Sequence, residues 1–295
     1  MTGAERGFAL LTCFLGDPSA KPLTTAQFRE LTRRCRGMEK PALQRDLTAA
    51  DLQALGCDKA FAQRVIGLLD RQQQLDWYLE KAKKAGAQPV TRISRDYPSR
   101  LHTALDMEAP ACLWMKGDPR ILDMPRISLV GSRDLGEKNR EFARAVGIQA
   151  AAQGYVLVSG NARGADRQAQ ESCLEKGGFV ICVVADPLIE HEPQDHVLYI
   201  AEEGFDIAFS AHRALSRNRI IHALSEKTFV AQCTAHKGGT WSGTKHNLRH
   251  GLSDVFCFAD GSEATRELCA MGATAVDMSQ QTTWFIKSPN QLKLI

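Results

Sequence analysis

The fold is decided by residues 126–166, which read RISLVGSRDLGEKNREFARAVGIQAAAQGYVLVSGNARGAD. An apolar strand pattern at 127–130 precedes an amphipathic helical pattern at 137–153, and a second strand pattern follows at 155–158. Strands that alternate with helices in this way are typical of a doubly wound parallel sheet. Each strand ends in a glycine-containing loop, and ligands of such sheets bind where loops leave the carboxyl ends of the strands. The stretch therefore predicts an α/β, Rossmann-like domain with a ligand site at this edge.

The same alternation continues through the second half of the chain. The predicted strand cores are 127–130, 155–158, 179–184, 205–209, 228–231 and 255–258. The predicted helices between them are 137–153, 165–176, 218–224, 245–250 and 262–271. We therefore predict a Rossmann-like, doubly wound and mostly parallel sheet over residues 126–295. The motif Trp284-Phe285-Ile286-Lys287 near the end is compatible with an edge strand or with a dimer contact.

An all-α module is predicted for residues 1–85. Its helical segments are 25–35, 41–47, 48–55 and 59–85. The tight turn Leu55-Gly56-Cys57 has two interpretations, a purely structural helical pair, which we favour, and a helix-hairpin-helix that contacts the DNA backbone. Residues 86–125 carry short strand and turn patterns, and we expect them to connect the helical module to the α/β domain.

The composition is that of an ordinary globular protein, with 295 residues of which 44% are hydrophobic and 24% charged. Nine cysteines are scattered without a CxxC pair, and the histidines lack ligand partners at the spacing of a metal site. The apolar run at 8–15 is too short to span a membrane. We therefore expect a cytoplasmic protein without membrane contact, metal or cofactor.

Positive charge is concentrated between Phe209 and His250. Seven Lys or Arg residues and one acid, Glu226, give this stretch a charge of +6, whereas the whole chain has a formal net charge of +3. Five of the eight histidines fall in the same stretch. This distribution favours an anionic ligand such as nucleic acid, and a solvated basic face is the alternative.

Three glycine-rich loops carry most of the candidate binding residues. The first strand ends in Gly131-Ser132-Arg133, the second is followed by a loop at 159–166, and the strand at 228–232 is followed by a loop at 236–244. Glycine lets backbone N–H groups approach a phosphate closely, and arginine and lysine side chains bind it directly. Asp166 either contacts the ligand or complements the dipole of the helix that begins there. Trp241 is either a stacking partner for a base or a core anchor.

A fourth group, Arg217-Asn218-Arg219, opens the helix at 218–224, and its arginines are two positions apart, so only one of them can readily face a pocket. Neither GxSxG nor an assignable His-Asp pair is present, so no catalytic residue is predicted. The candidate phosphate- and nucleic-acid-binding residues are Gly131, Ser132, Arg133, Ser159, Gly160, Arg163, Gly164, Asp166, Arg217, Asn218, Arg219, Lys237, Gly238, Gly239 and Thr240.

Four motifs occur in a defined order: Gly131-Ser132-Arg133, Ser159-Gly160-x-Ala162-x-Gly164-x-Asp166, Arg217-Asn218-Arg219-Ile220-Ile221 and Gly239-Thr240. Together they resemble the DNA-processing protein A family (DprA, also called Smf), and the resemblance covers about residues 88–275. It implies an extended Rossmann-like domain that binds single-stranded DNA, forms a homodimer and helps to load a RecA-type recombinase, without turnover chemistry.

The chain departs from the family pattern in four ways. Ala169-Gln170 stands where the family usually has Ala-His, and Gly239-Thr240 replaces Gly-Ser. The segment at 186–193 is more acidic than the usual rim and lacks its glycine-tyrosine-proline pattern. No winged helix is expected after residue 275. We therefore interpret the chain as a divergent member.

The leading hypothesis is a non-catalytic, single-stranded DNA-binding protein that assists recombinase loading or DNA processing. The alternative is a nucleotide-sensing or antitoxin-like regulatory module that partners a toxin or phage-defence effector. A nucleotide phosphoribohydrolase is disfavoured, because Asn247 occupies the position of the glutamate that catalyses the reaction in those enzymes.

Overall fold

The structure, a computed structural model, describes residues 1–36 and 46–285. Its strands are β1 Gln88–Thr91, β2 Cys112–Lys116, β3 Arg126–Val130, β4 Val156–Ser159, β5 Phe179–Val184, β6 Val197–Glu202, β7 Lys227–Val230, β8 Asp254–Phe258 and β9 Thr274–Val276. These nine strands form one sheet in the order β1-β2-β6-β5-β4-β3-β7-β8-β9. The pairs β1/β2 and β2/β6 are antiparallel, and the other neighbouring pairs are parallel. The prediction of a Rossmann-like, mostly parallel sheet is confirmed.

The helices are α1 Gly3–Thr12, α2 Thr25–Cys35, α3 Ala49–Ala54, α4 Lys59–Leu69, α5 Gln72–Lys84, α6 Ser99–Leu105, α7 Glu137–Ala152, α8 Ala165–Glu175, α9 Ala211–Leu224, α10 Gly238–His250 and α11 Glu263–Ala270. Several begin at a side-chain cap, as α2 does at Thr24 and α9 at Ser210. Most of the helix predicted at 41–47 lies outside the described residues.

The single helix predicted at 59–85 is wrong, because the structure contains two helices, α4 and α5, in this range. The break is at Arg71, whose φ of −80° and ψ of 28° leave the helical region. The Arg71 guanidinium donates a hydrogen bond to the carbonyl of Cys13 (3.0 Å) at the end of α1. The turn therefore ties α4 and α5 to the first helix.

The strand predicted at 205–209 is also wrong. The strand beside β5 is β6, and residues 203–210 form an irregular link between β6 and α9. The apolar side chain of Phe205 is fully buried against Tyr78 of α5 and Trp114 of β2, whose ring centroids are 4.8 and 5.3 Å away. The pattern that resembled a strand thus belongs to the packing of the helical module on the sheet.

Two predicted helix starts are too late in the sequence. Residues 238–244 were predicted as a loop, but they form the first two turns of α10, and Trp241 is only 3% exposed, so it anchors the helix in the core. Similarly, α9 begins at Ala211, where Ser210 accepts a hydrogen bond from the backbone N–H of Arg213 (3.1 Å). Glycine and serine lower intrinsic helix propensity, and the buried contacts override that preference here.

The core includes both ends of the described chain. Leu10, Leu75 and Tyr78 of the helical module pack with sheet residues in one apolar cluster, and β1 and β2 come from the segment at 86–125. Trp284 and Phe285 are 4% and 2% exposed and are not in a strand, because their rings contact buried aromatics of the sheet and α7. The remaining two residues of that motif lie outside the described residues.

Candidate functional site

A pocket of about 690 Å³ opens at the carboxyl edge of β3 and β7. The strands β4, β5 and β6 lie on one side of β3, and β7, β8 and β9 lie on the other. The order of the chain therefore reverses between β3 and β7, and such a switch point is where open α/β sheets bind their ligands. The predicted site residues that line this pocket are Gly131, Ser132, Arg133, Asp166, Arg217, Asn218, Lys237, Gly238, Gly239 and Thr240.

Hydrogen bonds join the three loops around the pocket. The backbone N–H of Ala165 donates to the carbonyl of Ser132 (3.1 Å), and the N–H of Ser132 donates to the carbonyl of Gln232 (2.9 Å). The Thr240 hydroxyl donates to the carbonyl of Gly131 (3.0 Å). The loops after β3, β4 and β7 are thus fixed to one another, and the pocket is preformed.

The floor of the pocket contains a buried arginine and a buried aspartate. Arg217 is 9% exposed, and its Nη1 donates to the carbonyls of Gly160 (2.8 Å) and Val183. Asp166 Oδ2 accepts hydrogen bonds from the backbone N–H groups of Gly160 (3.0 Å) and Ala162 (3.2 Å). Arg217 thus binds a backbone carbonyl of the loop after β4, and Asp166 binds two of its N–H groups. The Arg217 Nε is buried and has no hydrogen-bond partner among the described residues.

Burial raises the pKa of Asp166 to about 6, and the neighbouring Arg217 charge partly opposes this rise. An acid whose pKa is higher in the folded state stabilises the fold below its ordinary value of 3.8, and this contribution is lost as the pH rises through about 6. We expect the difference in unfolding free energy between the native chain and D166N to change by about 2 kcal/mol between pH 4 and pH 7. Urea unfolding across this range measures it, and parallel curves for the two proteins would contradict the burial of an ionisable group here.

The other wall of the pocket is built by α9 and α10. Asn218 Nδ2 donates to the carbonyl of Gly239 (3.3 Å), which ties the two helices together. The helix α10 begins at Gly238, and the side chain of the preceding Lys237 does not cap it. Its first backbone N–H groups have no partner within the helix, and the positive end of the helix dipole favours an anion beside them.

Two exposed apolar side chains stand at the pocket and were not predicted as site residues. Phe209 and Leu215 are 56% and 53% exposed, and both line the pocket. Phe209 was predicted to lie in a strand at 205–209, which the structure does not contain. Only its exposure in the structure identifies it as a candidate binding residue. An accessible aromatic ring next to cationic groups offers a stacking surface to a base.

Five predicted site residues lie outside the pocket lining, namely Ser159, Gly160, Arg163, Gly164 and Arg219. Arg219 pairs with Glu202, with Nη1 2.9 Å from Oε2, whereas Arg217 lines the pocket, as the two-residue spacing of the arginines suggested. Ser159 is fully buried and accepts a hydrogen bond from Gln170.

The remaining members of this group lie beside the pocket. Gly160 packs under the Arg217 guanidinium, and Arg163 is exposed, with Nη2 3.7 Å from Asp134. Gly164 lines a smaller cleft that it shares with Arg133.

Two polar residues near the pocket have structural roles. His222 is buried beside Thr228, with Nδ1 3.2 Å from its hydroxyl, and burial lowers the His222 pKa to about 3, which keeps the ring neutral. Asn247 is fully buried, and its Oδ1 accepts a hydrogen bond from the N–H of Ser253 (2.9 Å). The position that would carry a hydrolase glutamate therefore holds a core amide.

Within residues 1–36 and 46–285, no cluster of His, Cys, Asp and Glu side chains has the arrangement of a metal site. In the same part of the chain, no helix combines the length and apolar character required to cross a membrane.

These features define a class of protein, a Rossmann-like α/β protein with a preformed, cationic pocket at the switch point of its sheet. The family model for DNA recombination-mediator protein A matches residues 88–287, which is more than half of the chain. The chain belongs to this family, and the resemblance predicted from its four motifs is confirmed.

Curated relatives and solved structures agree with this assignment. The DNA processing protein DprA of Streptococcus pneumoniae is 31% identical over 152 residues (48% of this chain and 53% of that protein), and DprA of Bacillus subtilis is 28% identical over 162 residues (51% and 54%). The chain thus spans about half the length of the curated relatives it matches.

The X-ray structure of the S. pneumoniae protein superposes with a TM-score of 0.71 at 23% identity and covers 95% of this chain and 97% of that one. A structure of DNA processing protein A from Helicobacter pylori, described for its single-stranded DNA binding mode, superposes with a TM-score of 0.55 at 24% identity (64% of this chain and 90% of that one). Both similarities show the shared fold.

Proposed function

We propose that the pocket binds single-stranded DNA and that the protein acts in DNA processing as a binder, without chemical turnover. The observation that carries this proposal is the convergence of Arg133, Arg217 and Lys237 on one preformed pocket at the switch point. The glycine loops and the uncapped start of α10 add backbone N–H groups that suit phosphate oxygens. Membership of the family supports it, as does the single-stranded DNA binding described for the H. pylori relative.

The pocket accepts a nucleotide in its volume as well as in its charge. A volume of about 690 Å³ is within the range of sites that enclose a small organic ligand, which is roughly 300–1,000 Å³. The pocket lining combines an exposed aromatic ring, Phe209, with the cations Arg133, Arg217 and Lys237. Single-strand binding sites combine the same two elements, because bases stack on aromatic rings and phosphates pair with positive charges. Phosphate contacts carry no base information, so we expect weak sequence preference.

The biological setting belongs to the same proposal. As the family resemblance implies, we propose that the protein forms a homodimer, acts in the cytoplasm and assists a RecA-type recombinase. A tight mononucleotide ligand, bound in preference to oligonucleotides, would instead support the nucleotide-sensing module.

Fluorescence anisotropy with labelled oligo-dT tests the proposal. Each phosphate contact on a single strand lowers the logarithm of affinity by about 0.7 per logarithm of salt, so three pocket cations predict a slope of about −2. Calorimetry with a panel of mononucleotides is the matched control. Binding that does not change with salt, or the absence of oligonucleotide binding, would contradict the proposal.

The exposed ring at the rim gives a second test. We expect F209A to weaken oligo-dT binding about tenfold, because stacking on an aromatic side chain contributes about 1–3 kcal/mol per base. Phe14 is also partly exposed and lies in the helical module, so F14A is a control with the same chemical change. An equal loss in both variants, measured by anisotropy, would show that the ring at 209 has no specific role.

A further inference from the structure

A second cleft lies on α10, next to the switch-point pocket. It has a volume of about 440 Å³ and is lined by His236, Trp241, Ser242, Lys245, His246 and Arg249. Ser242 lines both this cleft and the switch-point pocket. The two cavities therefore share a lining residue at the first turns of α10.

The cleft carries two cations without acidic partners. Lys245 and Arg249 are four residues apart and so lie on the same face of α10. Among the described residues neither forms an ion pair, whereas two of the arginines of α9 do, Arg213 with Glu203 (3.1 Å) and Arg219 with Glu202. Arg249 lies in the last turn of α10, where the negative end of the helix dipole stabilises a positive charge. Lys245 is near the middle of the helix, so the dipole does not stabilise its charge.

The other groups of the cleft leave these charges available. Glu267, an acid at its margin, is engaged by His236 (Nε2 to Oε1, 3.1 Å). The Lys245 ammonium is 5.5 Å from the centroid of the Trp241 ring, and this ring is buried, so it supports the lysine and does not stack on a base. The indole of the cleft is thus not available to a base, and its lysine and arginine suit a phosphate backbone.

We propose that this α10 cleft binds the phosphates of the nucleotides that follow those held in the pocket. The inference rests on the proposed function and extends it from a pocket to a track. From Lys237 to Arg249 the helix rises about 18 Å, at 1.5 Å per residue, which corresponds to about five stacked nucleotides at 3.4 Å each. The affinity for single-stranded DNA therefore depends on length beyond what the pocket encloses.

Anisotropy of the full chain with 4-nucleotide and 12-nucleotide oligo-dT tests this track. The native chain binds the longer oligonucleotide more tightly. K245Q/R249Q weakens binding of the 12-mer at least about fivefold, lowers its salt slope by about 1.4, and leaves the 4-mer unchanged. The control is K83Q/K84Q, which removes the same charge from the exposed end of α5.

The other outcomes contradict either the binding of DNA along α10 or the proposed function of the pocket. Three results would contradict DNA binding by the α10 cleft. They are equal binding of both lengths by the native chain, an equal loss for both lengths in K245Q/R249Q, and an equal loss in the control. If the native chain binds neither oligonucleotide, the proposed function fails instead.

Discussion

Replacement of Arg217 by methionine is expected to weaken single-stranded DNA binding at least about 30-fold, because loss of a buried, hydrogen-bonded charge at an interface typically costs 2 kcal/mol or more. Arg217 lines the pocket and holds the carbonyls of Gly160 and Val183 in place. The variant also leaves Asp166 buried without its positive neighbour, so we expect a loss of about 3 kcal/mol in unfolding free energy near neutral pH. Anisotropy and urea unfolding measure the two effects.

Two further variants separate binding from folding. R219M makes the same substitution two positions along α9, at an arginine that pairs with Glu202, and we expect it to leave DNA affinity unchanged. In R217M/D166N the uncompensated carboxylate is removed, so stability recovers while affinity stays low. If the double variant regained affinity together with stability, Arg217 would serve only to support the loop.

Replacement of Gly164 by alanine is the other change with a large expected effect. Gly164 has a φ of +84°, and a Cβ built there would be 2.5 Å from the carbonyl oxygen of Ser132. The loops after β3 and β4 must then separate, which breaks the bond from the Ala165 N–H to Ser132 and widens the pocket. We expect a loss of about 3 kcal/mol in unfolding free energy, more than the 1–2 kcal/mol of the left-handed conformation alone. Oligo-dT affinity falls with it.

Gly154 provides the matched control for this change. Its φ is +72°, but a Cβ there would meet no atom within 4 Å. We therefore expect G154A to show only the conformational cost and to bind DNA normally. Equal stability losses in G154A and G164A would show that the two loops do not need their close approach.

Periodicity predicted the sheet but not every element of it. The strands at 127–130 and 179–184 were predictable because continuous apolar runs between glycine-containing loops are typical of buried parallel strands. The run at 205–209 has the same local character, and only its burial against Tyr78 and Trp114 shows that it is a link and that β6 is the strand. A short apolar run does not show whether it pairs with a neighbouring strand or packs against side chains. That distinction depends on tertiary contacts, which the sequence pattern does not contain.

The site was predictable to a similar extent. Glycine loops at strand ends and the spacing of Arg217 and Arg219 indicated the pocket and that one arginine would face it. The loop-holding role of Asp166 was not predicted, although its partners Gly160 and Ala162 are only six and four residues away, because the turn that brings them together is not visible in the sequence. The exposure of Phe209 was not predictable, because it depends on how residues distant in sequence pack around it. The α10 cleft was not predicted, because the first residues of α10 were interpreted as a loop.

The most direct test of the central claim is a structure of this chain bound to a short oligo-dT. We predict a phosphate in the switch-point pocket, within hydrogen-bonding distance of Arg133 or Arg217 and of the first N–H groups of α10, with a base stacked on Phe209. DNA bound elsewhere on the surface, with this pocket empty, would contradict the claim.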